Sequence, residues 1–464
     1  MTAPRHTRLV GAATLALSAS LVAACGNNGA ASSPPASATS ETGSPAGSSP
    51  STGSSAAGGA STAAGGTGVG SAAGATQLSM LTGFTGPDEA SYQLLVKAFN
   101  ASHPAIHVTM DVQPWAAIGQ KLPASWATGQ GPDLATPSSD PGSIFHYITT
   151  NSVVALDDAV GPGATAIDAA AFPAAVRDAF TVKGKLYAVP ANLATLVLYY
   201  DKTMFAKAGI TAPPATQAEF IADAKKLTLG GGSKPTQYGL SLADNQTIQM
   251  WPILQWMNGG DIIDAKGCSQ LSKPASVQAL TQWAGLVMNQ HISPVGQTGA
   301  DADTLFSAKK AAMEINGPWA AGGFKAAGVD LGIAAIPVGS AGPVTLGSTV
   351  PLMIERTTAH KAAAETFLAW WTGKDAQTMF SKASGFPPAR TDLAAAVAGN
   401  ATVVPFAAAL PHAKLYLAGQ PAGADIDANV YVPFIGKITR GADVAGAAAA
   451  ASKQIDALTG CTTP

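Results

Sequence analysis

Apolar residues along this chain change their spacing several times, and each change marks an element. Leu78-Ser-Met-Leu81 begins a strand. Between Asp88 and Ser102, Tyr92, Leu95, Val96 and Phe99 fall at i, i+3, i+4 and i+7, the stripe of an amphipathic helix. Ile106, Val108, Met110 and Val112 then alternate with His107, Thr109 and Asp111, which predicts a half-buried strand. A helix around Ala116–Thr128 and a short strand over Asp133–Thr136 follow. Strand, helix, strand, helix, strand is the opening of a doubly wound α/β lobe. Further on, Leu196–Tyr200 reads as a strand and Met204–Ala208 as a helix stopped by Gly209. Thr216-x-x-Glu219 is a capping box ahead of Phe220, Ala224 and Leu227. A second α/β unit therefore starts near residue 196.

The N-terminus has a different pattern. Arg5 and Arg8 precede sixteen residues without a charge, Leu9 to Ala24. A membrane span needs about 20 residues, so this stretch is expected to be the apolar part of a signal peptide, 1–24. It ends in Val22-Ala-Ala-Cys25, small residues before a cysteine. That ending resembles a bacterial lipobox, in which the Cys25 thiol is acylated and becomes the first residue of the mature chain; an ordinary secretory peptide with an incidental cysteine is the alternative. The two arginines are not adjacent, so no twin-arginine signal is present. From Gly26 to about Ala75 the chain is mostly Ala, Gly, Ser, Thr and Pro, with Glu41 its only charge. Such a segment cannot offset its ordering entropy by burial, so 25–76 is expected to be a lipidated cysteine and flexible tether with a reach of about 40 Å. No later apolar run reaches the length of a span, and Ala445–Ala451 reads as a short helix.

Composition narrows the function. The 464 residues allow two or three domains, charged residues make up 12%, and the formal net charge is −2. A nucleic-acid binder would show a basic excess. The three cysteines, Cys25, Cys268 and Cys461, form no CxxC pair, so no zinc or redox site is expected. Ser307-x-x-Lys310 matches a serine–lysine enzyme pattern, but its companion Lys-Thr-Gly and Ser-Asp-Asn motifs are missing. His103 and His107 are separated by Pro104, which prevents them from sharing a helix face as metal ligands. No GxSxG, HExxH or phosphate-binding loop occurs. A binding protein without cofactor or metal fits better than an enzyme.

Several local motifs point the same way. Gly184-Lys-Leu-Tyr-Ala-Val-Pro190, Leu198-Tyr-Tyr-Asp-Lys202, Phe205-Ala-Lys-Ala-Gly209 and Asn258-Gly-Gly-Asp261 occur in order. Ala311-Ala-Met-Glu-Ile-Asn-Gly-Pro-Trp319, Gly332-Ile-Ala-Ala-Ile-Pro337, Ala363-Ala-Glu-Thr-Phe-Leu368 and Gly385-Phe-Pro-Pro-Ala-Arg390 follow. Together, across roughly 77–460, they resemble the solute-binding lipoproteins of bacterial ATP-binding-cassette sugar importers, the maltose-type branch above all. The resemblance implies two α/β lobes, 77–193 with 350–389 and 194–349 with 390–464. A hinge would be crossed near Asn192–Thr195, Gly347–Val350 and Ala389–Asp392. It implies a monomer on the outer face of the cytoplasmic membrane, capturing a carbohydrate and handing it to membrane permease subunits. The alternative is a non-transport lipoprotein, signalling or structural, that keeps the fold.

A sugar presents flat C–H faces and a rim of hydroxyls, so its site needs aromatic planes and planar polar groups. The resemblance makes Trp319 the stacking residue, against a core tryptophan closing a helix end, and makes Asp140 a hydroxyl-binding carboxylate, against a turn cap. Phe84, Asn192, Asp244, Gln246, Ser348 and Tyr431 match cleft-lining segments. Arg390 does so too, though it could instead tie two helices together. Trp251 and Trp256 read as packing residues. The family's acidic residue after the first hinge strand is Ala194 here, and Thr247 and Ile248 replace an expected aromatic. With aromatics at 6%, a mono- or disaccharide or a sugar derivative suits the site better than a long glucan. Once Cys25 is acylated, Cys268 and Cys461 are the remaining thiols in an oxidising setting, and a disulfide between them is expected.

Overall fold

The protein is described here by a computed structural model covering residues 74–138, 141–163, 165–246 and 250–462. The signal peptide, Cys25 and nearly all of the tether lie outside the described residues, as does Asp140. The first apolar alternation becomes a strand, Thr76–Thr82, with Leu78, Met80 and Thr82 buried. The helix Glu89–Ser102 turns Tyr92, Leu95, Val96 and Phe99 inward, the four positions its spacing predicts. Large side chains of this kind contribute about 1.5–3 kcal/mol each on burial, which outweighs the helix's modest intrinsic propensity.

A five-stranded sheet carries the first lobe, in the order Ile106–Val112, Thr76–Thr82, Leu134–Ala135, Pro351–Ile354, Val189–Pro190. The first three strands run parallel, and Pro351–Ile354 is antiparallel to both its neighbours. One continuous core, from Leu78 to Ala194 and again from Val350 to Ala389, packs the helices Trp115–Ala127, Lys361–Trp371 and Lys374–Ser384 around this sheet.

The second core draws on Leu196 to Leu346 and then Leu417 to Ile455. Its central strand, Val197–Asp201, is flanked by Leu331–Ala334 and Met313–Asn316, both antiparallel to it. Parallel pairing is added by bridges such as Ser241 with Glu314, and strands and helices mix in this lobe as the expected two-lobed α/β fold requires. The Thr216 capping box forms, with Glu219 N donating to Thr216 Oγ1 and Thr216 N donating to Glu219 Oε2. Within Asp261–Asp264, Ile263 makes an isolated bridge with Ser269. The final helix, Val444–Thr459, is capped by the Asp443 side chain and stops at Gly460, whose φ of 69° is the left-handed conformation that glycine adopts most readily. Cys461, just beyond it, is bonded to Cys268.

A three-stranded sheet joins the lobes, ordered Ala413–Leu415, Thr345–Ser348, Ala194–Thr195. Two crossings lie near the expected positions. The third does not. Arg390 and Thr391 are bonded to Asp168, Thr372 and Ala171 of the first lobe, so the chain remains there past 390. It reaches the second lobe through the helix Val404–Ala409, where Thr195 Oγ1 donates to Phe406 O, and then the strand Ala413–Leu415.

Candidate ligand-binding cleft

A cavity of about 300 Å³ opens where the lobes face each other. The first lobe supplies Phe84, Asp88, Trp115 and Phe386; the hinge supplies Asn192, Ser348 and Val350; the second lobe supplies Trp319. Local sequence explains how the aromatic walls are held. Phe84 lies flat on Tyr92, with centroids 3.7 Å apart and planes 5° from parallel, and meets Trp115 edge-on at 5.6 Å. A Cβ on Gly83 would overlap the Trp115 indole, and a Cβ on Gly317 would overlap that of Trp319. Two indoles thus sit directly over glycine backbone. Trp319 borders the cores of both lobes and tilts against Phe386 at 6.2 Å.

Polar groups in the cavity divide into those already engaged and those able to turn toward a ligand. Asn192 belongs to the first kind: its Nδ2 donates to Tyr92 Oη at 2.7 Å, and its Oδ1 accepts from Val350 N at 3.2 Å. Thr349 Oγ1 donates to its carbonyl at 2.8 Å. Asn192 therefore ties the two hinge strands together at the floor of the cavity. Asp88, at the head of the helix Glu89–Ser102, makes no side-chain capping bond to that helix. Burial pushes its carboxyl up to about 6, against the opposing pull of hydrogen bonds from its own backbone and from Tyr92.

The sequence-predicted residues separate accordingly. Phe84, Asn192, Trp319 and Ser348 come together around one cavity. Three others are placed elsewhere, each in a structural network. Tyr431 is fully buried in the second core, with its hydroxyl donated to Gln255 Oε1 at 3.0 Å. Asp244 is 2% exposed and accepts from Gly296 N and Thr439 Oγ1, both at 2.6 Å. Arg390 grips Asp168, Asp392 and the Thr372 carbonyl inside the first lobe, the tying role that was its alternative. Its guanidinium holds the Asp392 carboxyl down at about 2. Gln246 is exposed, with φ 62°, and does not line the cavity; Thr247–Gln249 beside it lie outside the described residues.

Sequence reasoning missed Asp88, Trp115 and Phe386. Phe386 stood inside the motif Gly385-Phe-Pro-Pro-Ala-Arg390 and could have been named from it. Asp88 stands at the start of the stretch read as a helix, Asp88–Ser102, and Trp115 one residue before the helix read over 116–128, so neither carried a site signal. Trp251 and Trp256 are packing residues as expected, their indole N–H groups donating to Ala243 O and Asp261 Oδ1. Among the described residues no cluster of potential metal ligands occurs, and no helix is long and apolar enough to cross a membrane.

Comparison with known proteins adds relatives to this geometry. A binding protein of Brucella abortus is 28% identical over 358 residues, covering 74% of this chain and 84% of its own. The GacH receptor of Streptomyces glaucescens, solved unliganded and with acarbose, superposes with a TM-score of 0.74 at 23% identity, over 84% of this chain and all of that one. UgpB from Mycobacterium tuberculosis, solved with glycerophosphocholine, gives 0.73 at 22% identity, over 83% and 98%. At these identities the two solved structures speak for the two-lobed fold alone. The bacterial extracellular solute-binding protein model matches residues 85–378. That span runs from the cleft loop after Phe84, through both lobes and two hinge crossings, and the chain belongs to the bacterial extracellular solute-binding protein family.

Proposed function

We propose that this protein is the receptor subunit of an ATP-binding-cassette sugar importer. It closes its two lobes on a carbohydrate and presents it to a membrane permease. The observation that carries the reading is the cavity itself: Trp115 and Phe84 on one lobe, Trp319 on the other, hinge strands between them. Aromatic planes on opposite lobes suit the two C–H faces of a sugar ring, and Asp88 and Ser348 suit its hydroxyl rim. A volume of about 300 Å³ is at the small end of ligand sites, which run from about 300 to 1,000 Å³. That favours one or two sugar units, or a derivative of that size. Asp140 is assigned to the same rim.

Thermal melts of the full chain against glucose, maltose and acarbose test the reading, with glycerophosphocholine and an amino acid as controls. A ligand at 100-fold its Kd adds about 2.7 kcal/mol of stability. A clear rise with one of the sugars supports it. A rise with glycerophosphocholine alone moves the ligand class to phosphodiesters. No rise with any of them favours a lipoprotein that kept the fold and lost transport. The lipid anchor is a separate part of the proposal, and Cys25→Ser should release the protein from the membrane fraction without altering the melts. A variant still retained at wild-type levels would rule the anchor out.

A further inference from the structure

Next to Trp319 lies a pair of acids that the cavity does not use. Glu314, on the strand Met313–Asn316, is 1% exposed, and Asp303, on the helix Gly299–Ser307, faces it. Asn316 Nδ2 donates to Asp303 Oδ1 at 2.7 Å and to Glu314 Oε1 at 2.8 Å. The two carboxyl groups therefore meet across a single amide nitrogen. Among the described residues neither has a cation beside it, and Glu314 Oε2 meets no donor. Two bare carboxylates that share one amide donor, one of them fully buried, repel each other strongly. One proton held between them removes the repulsion.

The same asparagine reaches toward the cleft. Asn316 Oδ1 accepts from Gly317 N at 2.8 Å, and Tyr199 Oη donates to Gly317 O, also at 2.8 Å. Gly317 is thus held at both of its backbone groups, and it is the residue over which the Trp319 indole lies. We propose that Asp303 and Glu314 share one proton and, through Asn316 and Gly317, act as positioning residues that set the seat of Trp319. The functional meaning of that seat rests on Trp319 being a ligand platform; the seat itself can be tested without ligand. Burial pushes both carboxyls above the usual range, and the Asp303 charge pushes Glu314 further. Among the described residues, the titratable groups facing this assembly are the Tyr199 phenol, which burial keeps protonated, and Asp88 in the cavity that Trp319 lines; Asp140, assigned to the same cavity, is the other.

The test uses the full chain labelled with 5-fluorotryptophan, the Trp319 fluorine signal being identified by its loss in Trp319→Phe. Titration runs from acid to mildly alkaline pH in an Asp88→Asn, Asp140→Asn background, so that neither carboxyl assigned to the cavity contributes. The expected result is one step in the Trp319 signal, above the ordinary carboxylate range, lost in both Glu314→Gln and Asp303→Asn. A Trp319 signal flat with pH, or a step that survives both substitutions, overturns the proposal. Should Glu314→Gln fail to fold, seen as collapse of the other tryptophan signals, the half-buried Asp303→Asn decides. A sugar panel without any melting shift would defeat the transport reading and leave this titration standing.

Discussion

Trp319 and Asp88 show how differently two residues of one cavity respond to substitution. Trp319 presents a face of about 150 Å², worth up to ~4 kcal/mol at about 25 cal/mol per Å² before entropy is counted. The hydroxyl bonds assigned to Asp140 are worth about 1.5–3 kcal/mol. Trp319→Ala should therefore weaken sugar binding more than Asp140→Asn, with both unliganded variants still folded. Calorimetric titration with the sugar found in the panel measures both. Asp88 acts on stability instead. Its folded-state carboxyl sits near 6, above the unfolded value of 3.8, so the folded state holds its proton longer than the unfolded one. Stability from this group is present below the unfolded value and is lost as pH rises through about 6. Asp88→Asn should stabilise the protein at neutral pH by up to about 3 kcal/mol and gain nothing near pH 4. Urea midpoints at the two pH values check it. Phe84 and Trp319, both beside the cavity, could be singled out from the sequence because each stands where the family resemblance puts a cleft segment. Tyr431, Asp244 and Arg390 were not legible, because the groups that bind a sugar are the same groups that satisfy a buried hydrogen-bond network.

Long elements carry their own signature and short ones do not. The helix Glu89–Ser102 and the strand Ile106–Val112 could be read from period alone. The hinge strand Ala413–Leu415 has three residues, too few to show a period, and its two neighbours are as brief. The third crossing was therefore misplaced, and only the hydrogen bonds of Arg390 and Thr391 reveal that the chain had not yet left the first lobe. The C-terminal helix Val444–Thr459 illustrates redundancy. It is tied to the 268–272 segment by the disulfide, by Ser269 N donating to Asp456 Oδ1 at 2.7 Å, and by Ser272 N donating to Ser452 Oγ at 3.1 Å. Closing a loop of 193 residues is worth about 5 kcal/mol in the chain-entropy model, though measured bridges fall nearer 2–4. Replacing both cysteines by serine should lower stability by about 2–4 kcal/mol while the remaining bonds keep the helix docked. Hydrogen exchange should then rise in the last turns, from Asp456 onward, and stay unchanged in the first lobe. Exchange rising along the whole helix would mean that the bridge alone holds it.

For the molecule as a whole, a ligand touching both lobes stabilises only the arrangement in which they approach. Small-angle scattering should show the radius of gyration falling on saturation with the sugar. An unchanged value would refute the clamp even if the ligand binds. The three crossings have another consequence, for the order in which this chain can become a protein. The first core is not complete until Ala389 has been made, and the second not until Ile455. A chain emerging from its N-terminus therefore cannot finish one lobe and then begin the next, as beads on a string do. Between residues 195 and 350 it carries a sheet whose strand Pro351–Ile354, partner to Leu134–Ala135, does not yet exist. Apolar surface such as Phe367 and Trp371 is still to come while Phe99 and Tyr92 wait uncovered. Such a nascent chain invites holdase chaperones during synthesis, and truncations ending anywhere between 200 and 350 should be recovered as aggregates or chaperone complexes rather than as a folded half.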